Sequence, residues 1–256
     1  MVASGNDFVV VGEAGVRGLN FRLLAKDLCD RKFGVGADGL LLIGKSKKVG
    51  VRRRIFNADG SEAEMCGNGA RCAAYFAKSR AIKGIETKAG IIQAKVSGDT
   101  VKIKLTDPKD IRLDIPVNVA GRVMKVNFVN TGVPHVVIFV QGLDTVSVGA
   151  IGRYIRNHRQ FAPAGTNVNF IEVLGQDLIG IRTYERGVED ETLACGTGST
   201  ASAIIFALKG AKGNTIKLKT RGGEVLKVYF DKSGSKFKNV WLEGKARKVY
   251  EGEYYV

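Results

Sequence analysis

Apolar and polar residues alternate with a period of two through several short stretches of the chain, among them Val101-Lys102-Ile103-Lys104-Leu105 and Ile216-Lys217-Leu218-Lys219. Such alternation predicts strands with one buried and one solvated face. Two stretches, 69–77 and 198–207, break the pattern: they carry Ala, aromatic and aliphatic residues nearly all round and lack a charged face. They predict helices buried on every side.

Each predicted helix closes the same series. The first reads Arg54-Ile55-Phe56-Asn57-Ala58-Asp59-Gly60, then Met65-Cys66-Gly67-Asn68-Gly69-Ala70-Arg71-Cys72; the second reads Arg182-Thr183-Tyr184-Glu185-Arg186-Gly187, then Ala194-Cys195-Gly196-Thr197-Gly198. Asn57 lies nine residues before Cys66 and Arg186 nine before Cys195, which predicts that both leave their strands at equivalent points. Upstream, Asn6-Asp7-Phe8 matches Val133-Pro134-His135; downstream, Thr87-Lys88-Ala89-Gly90 matches Thr220-Arg221-Gly222-Gly223. A chain written twice predicts two structural units. The expected fold is α/β (α+β), with two pseudo-symmetric domains, each a mixed sheet wrapped around a central buried helix. The domains are expected at 1–112 and 113–246, with a junction in the Pro- and charge-containing stretch 107–116. The alternative is one undivided sheet.

With 45% apolar and 25% charged residues the chain has the composition of an ordinary globular protein. No run approaches the roughly 18 apolar residues of a membrane span, and the start lacks a signal-peptide pattern, so a cytoplasmic location is the default expectation. The net charge of +15 raises the question of nucleic acid. Its distribution argues against that: the basic residues are scattered along solvated strand faces, and the clusters at 45–48 and 52–54 lack interleaved aromatics for base stacking. Cysteines stand at 29, 66, 72 and 195 without a CxxC, and only His135 and His158 accompany them, so no metal site is expected.

A thiol at the first turn of a helix meets backbone N–H groups and the positive end of the peptide dipoles, which favour thiolate. The glycines beside it let a carboxylate approach the N–H groups of Gly67, Asn68, Gly196 and Thr197. Cys29 and Cys72, without such surroundings, read as packing groups. Cys66 and Cys195 read as an acid and a base for inverting a carbon that bears an acidic hydrogen. A disulfide-forming redox pair is the rival use, disfavoured by their separation in sequence.

These motifs resemble the diaminopimelate epimerase family, a cofactor-independent racemase group, over nearly the whole chain. Ser4-Gly5-Asn6-Asp7-Phe8, the two thiol motifs, Thr166-Asn167-Val168-Asn169-Phe170 and Glu185-Arg186-Gly187 carry the likeness. The resemblance implies interconversion of LL- and meso-diaminopimelate without cofactor or metal, on the route to lysine, by Cys66 and Cys195. It implies that Asn6, Asn57, Asn169 and Arg186 hold the distal end of the substrate, with Glu185 accepting from its ammonium. The chemistry suits a doubly zwitterionic ligand. His135 and Glu185 are expected to tune the thiols, although His135 also reads as a buried strand residue. A homodimer, a cleft that closes on substrate and a final segment 247–256 returning to the first half as a strand are further implications.

Three departures stand out. The short strand that many relatives carry before Gly5-Asn6-Asp7 is mostly missing, Val133 replaces an Asn, and Gly39 replaces a Gln found in some members. Proline and hydroxyproline racemases share the plan but carry His where this chain has Asn68. A racemase for another amino acid such as histidine, and a non-enzymatic amino-acid-binding protein, are the remaining alternatives.

Overall fold

A computed structural model of the chain describes residues 1–78, 84–119 and 121–255. The chain divides into two compact units, Met1–Lys104 with Glu243–Val256, and Leu105–Leu242. The boundary therefore lies ahead of the stretch 107–116 and of the expected limits at 112 and 113. That stretch is mostly strand. Its Pro and charges are accommodated because the strand lies at a sheet edge and is bulged, with Asp110 and Asp114 at positive φ (both 54°).

The first unit is built from β1 (Val2–Ala3), β2 (Asn6–Gly12), α1 (Phe21–Cys29), β3 (Gly39–Ser46), β4 (Gly50–Asn57), β5 (Glu62–Ala63), α2 (Gly67–Phe76), β6 (Gly84–Thr87), β7 (Gly90–Ile92), β8 (Ala94–Ser97) and β9 (Thr100–Lys104). The sheet order is β1-β2-β3-β4-β6-β7, with β5 on β4. Leu40 and Leu42 of β3 join Leu24, Leu28 and Phe56 in a core under α1. The intervening Leu41 faces α2, where it lies against Gly69. This explains the unbroken run Leu40-Leu41-Leu42-Ile43: the strand is covered on both faces. The central α2 packs against β1, β2, β3, β4, β6, β8 and β9.

The second unit comprises β10 (Lys109–Val119), β11 (Arg122–Asn130), β12 (Pro134–Phe139), α3 (Val148–Arg156), β13 (Asn167–Val173), β14 (Leu178–Glu185), β15 (Asp190–Thr192), α4 (Gly196–Leu208), β16 (Thr215–Lys219), β17 (Val225–Ser233) and β18 (Lys236–Lys245). Its order is β10-β11-β12-β13-β14-β16-β17-β18, with β15 on β14. The central α4 packs against β11, β12, β13, β14, β16 and β17. Val168, Phe170 and Tyr184 face the α3 side with Phe128, Val136 and Ile155.

The repeat is exact in topology. Parallel β2/β3, antiparallel β3/β4 and β4/β5, parallel β4/β6 and antiparallel β6/β7 recur as β12/β13, β13/β14, β14/β15, β14/β16 and β16/β17. A matched ion pair marks it: Arg54 holds Glu62 with two bonds of 2.8 and 3.0 Å, and Arg182 holds Glu191 with two of 2.7 and 2.6 Å. The register corrects one expected equivalence. Phe56 pairs with Glu62 and Tyr184 with Glu191, so the second connection is one residue longer and the strands end at Asn57 and Glu185. Arg186 belongs to the turn that follows.

The strand ahead of β2 is the two-residue β1, whose Ala3 pairs with Asn6. The segment after β18 does return to the first unit, where Arg247 bridges Val2 and the Ala246 N–H donates to the Asp99 carbonyl, but residues 248–255 form no strand. Val256 lies outside the described residues. Among the described residues no helix is long and apolar enough to cross a membrane.

Candidate active site

Both cysteines singled out by the repeat cap the central helix of their unit. Cys66 has extended backbone (φ −147°, ψ 121°) and its Sγ accepts from the Gly69 N–H at 3.3 Å. Cys195 does the same (φ −119°, ψ 116°), accepting from the Gly198 N–H at 3.4 Å, with Thr197 Oγ1 3.5 Å from its Sγ. Anionic sulfur accepts such bonds better than a thiol, and the helix dipole acts in the same sense. Gly67 and Asn68 open α2, and Gly196 and Thr197 open α4. Cys29 and Cys72 contrast with them: burial pushes the first thiol up to about 11 and the second up to about 12, which leaves both protonated packing groups.

In the first unit a chain of amides leads from the helix start. Asn68 Nδ2 donates to Asn6 Oδ1 at 2.7 Å, and Asn6 Nδ2 donates to Asp38 at 2.8 Å. Arg71 donates to Asn68 Oδ1 and, at 2.7 Å, to Ser4 Oγ. Asn57, exposed at the end of β4, donates to Ser61 Oγ at 2.9 Å and lies opposite Gly39. Gly39 leaves no room for a side chain, since a Cβ would stand 2.8 Å from the Phe56 carbonyl oxygen and 3.5 Å from the Phe8 ring.

In the second unit Glu185 accepts from Thr192 Oγ1 at 3.0 Å, and burial raises its carboxyl above the ordinary value. Arg186 is fixed twice, by its N–H on Asn167 Oδ1 and by Nη1 on the Ala164 carbonyl, both at 2.9 Å. Asn167 Nδ2 reaches the Pro134 carbonyl at 3.0 Å, so this residue ties together the starts of β12 and β13 and the end of β14. The sequence points to Asn169 rather than Asn167 as a ligand of the substrate. Yet Asn169 has no exposed surface and lies beneath α4: its Nδ2 reaches the Val136 carbonyl (2.8 Å) and His135 Nδ1 (3.2 Å), while its Oδ1 accepts from Thr183 (3.0 Å). The strand repeat sets Asn167 apart from Asn169. Phe8 pairs with Gly39 across β2/β3 and His135 with Asn167 across β12/β13, so Asn167 stands where Gly39 stands in the first unit, and Val133 where Asn6 stands.

His135 is wholly buried, with Nε2 unpartnered among the described residues. Burial first, and then the charge of Arg186, push it down to about 3, so it is neutral at physiological pH. A folded value below the unfolded 6.5 means that the unfolded chain binds the extra proton, so stability is intact above about 6.5 and falls as pH drops toward 3. The slope from this residue is expected to reach at most about 1.4 kcal/mol per pH unit. Urea titrations at pH 7, 6, 5 and 4 check this: His135→Gln should flatten the acid slope, and an unchanged slope would refute the assignment.

Among the described residues no three of His, Cys, Asp and Glu gather as metal ligands would. A family model described as diaminopimelate epimerase matches residues 1–111 and 127–249. The diaminopimelate epimerase of Aquifex aeolicus is 45% identical over 97% of this chain and 94% of its own length. That of Archaeoglobus fulgidus is 41% identical over 98% and 94%. Among solved structures, a PhzF-family phenazine biosynthesis protein of Bacillus anthracis aligns with TM-score 0.74 at 18% identity, covering 100% of this chain and 95% of its own. A hydroxyproline epimerase of Agrobacterium vitis aligns with TM-score 0.66 at 14%, covering 95% and 86%. These two share the fold.

Proposed function

We infer the function from one premise, that this chain belongs to the diaminopimelate epimerase family. It is an isomerase that interconverts LL- and meso-diaminopimelate in lysine biosynthesis. The residues that perform the reaction are our proposal. Cys66 and Cys195 are the acid–base pair: the thiolate of one takes the hydrogen of the α-carbon as a proton, the bond electrons delocalise onto the adjacent carboxylate, and the thiol of the other returns a proton to the opposite face. The two sulfurs exchange protonation states, and the reverse reaction exchanges them again.

The observation that carries this reading is the paired cap geometry, in which each Sγ accepts from the third helical N–H of its own central helix. The helix starts at Gly67-Asn68 and Gly196-Thr197 are suited to receive the developing negative charge of the reacting carboxylate. Asn6, Asn57 and Arg186 bind the distal end and Glu185 accepts from its ammonium. Asn167 acts there as well, holding the Arg186 backbone, while Asn169 supports the start of α4 from beneath. His135, being neutral, orders this support rather than exchanging protons. We further propose that the enzyme works without cofactor or metal, in the cytoplasm and as a homodimer, the last being checked by light scattering.

Substrate choice is tested by proton exchange in deuterium oxide against a panel of LL-diaminopimelate, proline, hydroxyproline and histidine. Exchange is expected only with diaminopimelate. Exchange with one of the others and not with diaminopimelate would overturn the substrate assignment.

A further inference from the structure

Arg53 lies in β4 on the face that turns toward α2, where Val51 and Ile55 are the buried neighbours on the same face. An arginine in that register is unusual chemistry, because charged side chains are rarely buried without a partner. Only 1% of its surface is exposed. Its Nη1 donates to the Cys66 carbonyl at 3.0 Å, and Nε and Nη2 are buried with no hydrogen-bond partner. Nη1 also lies beside the first turn of the helix: a Cβ on Gly69 would stand 3.3 Å from it, between Ile55 and Leu41. Among the described residues no carboxylate pairs with this guanidinium.

The second unit has no counterpart. The shared register places Ile181 at the position of Arg53, also buried. Burial disfavours the arginine's charge, and a negative charge on Cys66 offsets part of that cost. Ionisable groups near α2 among the described residues include Cys72, whose thiolate and that of Cys66 oppose each other, and Arg71 and the Met1 ammonium, which act on Cys72; Asp7 of β2 acts on that ammonium. We propose that Arg53 is a positioning residue acting through Cys66: its buried guanidinium is the counter-ion that favours thiolate at the start of α2. The proposal rests on the reading of Cys66 as an acid–base thiol and gives it a charge asymmetry that the repeat alone does not.

The test needs no substrate, so it stands or falls separately from the epimerase assay. In a Cys195→Ala protein, the alkylation of Cys66 by iodoacetamide is followed against pH by mass spectrometry, with Arg53 intact and in the variants Arg53→Gln and Arg53→Lys. Gln can keep the bond to the Cys66 carbonyl while losing the charge. It is expected to raise the midpoint by about one pH unit and slow alkylation about tenfold below it; Lys should stay close to the parent. Cys72, buried in the same helix, reports on folding and should remain unreactive. A parental midpoint in the Gln variant with Cys72 protected would overturn the proposal. Should the Gln variant not fold, the parent decides: a Cys66 midpoint at or above the ordinary thiol value of about 8.5 overturns it, and one well below supports it.

Discussion

Replacing either Cys66 or Cys195 by serine is expected to lower epimerisation at least about a thousandfold, since a positioned acid or base contributes roughly 10²–10⁴ and each sulfur serves as both in the two directions. Serine is the sharper substitution than alanine. Its Oγ can still accept from the Gly69 or Gly198 N–H, so the helix keeps its cap, whereas losing the cap costs about 1 kcal/mol. A serine hydroxyl is nevertheless far too weak an acid to exist as the anion that the reaction requires. The expected pattern is therefore near-native thermal stability with collapsed turnover in both variants, measured in both directions by chiral chromatography of the products. Unchanged turnover in either variant would remove that sulfur from the mechanism.

The second large effect is expected at Gly198. An alanine Cβ there would stand 2.3 Å from Asn169 Oδ1 and 3.3 Å from Asn169 Cγ. Asn169 cannot swing aside without breaking its bonds to Val136, His135 and Thr183, all formed with no solvent access. The start of α4, which carries Cys195, has to lift instead. Overpacking of this kind costs about 1–3 kcal/mol, and a displacement near 1 Å at a reacting group costs about a hundredfold in rate. Gly198→Ala should thus show both a lowered unfolding midpoint and a strongly reduced kcat. Gly69→Ala is the matched comparison: its Cβ would meet the ends of Ile55, Leu41 and Arg53 at 3.1 to 3.3 Å, which can yield, so a milder loss is expected. Equal losses at the two glycines would contradict the account of Asn169 as a fixed support.

The parts of this architecture that announce themselves in the sequence are those set by local chemistry. Cys-Gly-x-Gly ahead of an Ala-rich apolar stretch specifies a capped, buried helix, and its recurrence specifies two units. The alternating basic strands and the hairpin turns at Thr87 and Thr220 are local in the same way. What stayed hidden depends on register. Counting nine residues back from each cysteine paired Asn57 with Arg186, because the extra residue in the second turn is visible only once Tyr184 is seen opposite Glu191. Within Asn167-Val168-Asn169 both amides share one face of β13, and spacing alone cannot say which meets Arg186 and which lies under the helix. Arg53 sits in a cluster of three arginines that reads as surface charge. Alternation places Arg52 on Glu13 and Arg54 on Glu62, and sends only the middle residue inward. The unit boundary was displaced for a similar reason, since a bulged edge strand can hold the proline and charges that suggest a linker.

The most direct test of the two-thiol account is the isotope content of both stereoisomers during the first few per cent of reaction in deuterium oxide, starting from unlabelled LL-diaminopimelate. If one sulfur removes the proton and a different one delivers its replacement, the meso product carries one solvent deuterium at the inverted carbon while the remaining LL substrate stays unlabelled. Meso product that retains the original hydrogen would instead mean that a single group both takes and returns it, and would contradict the mechanism.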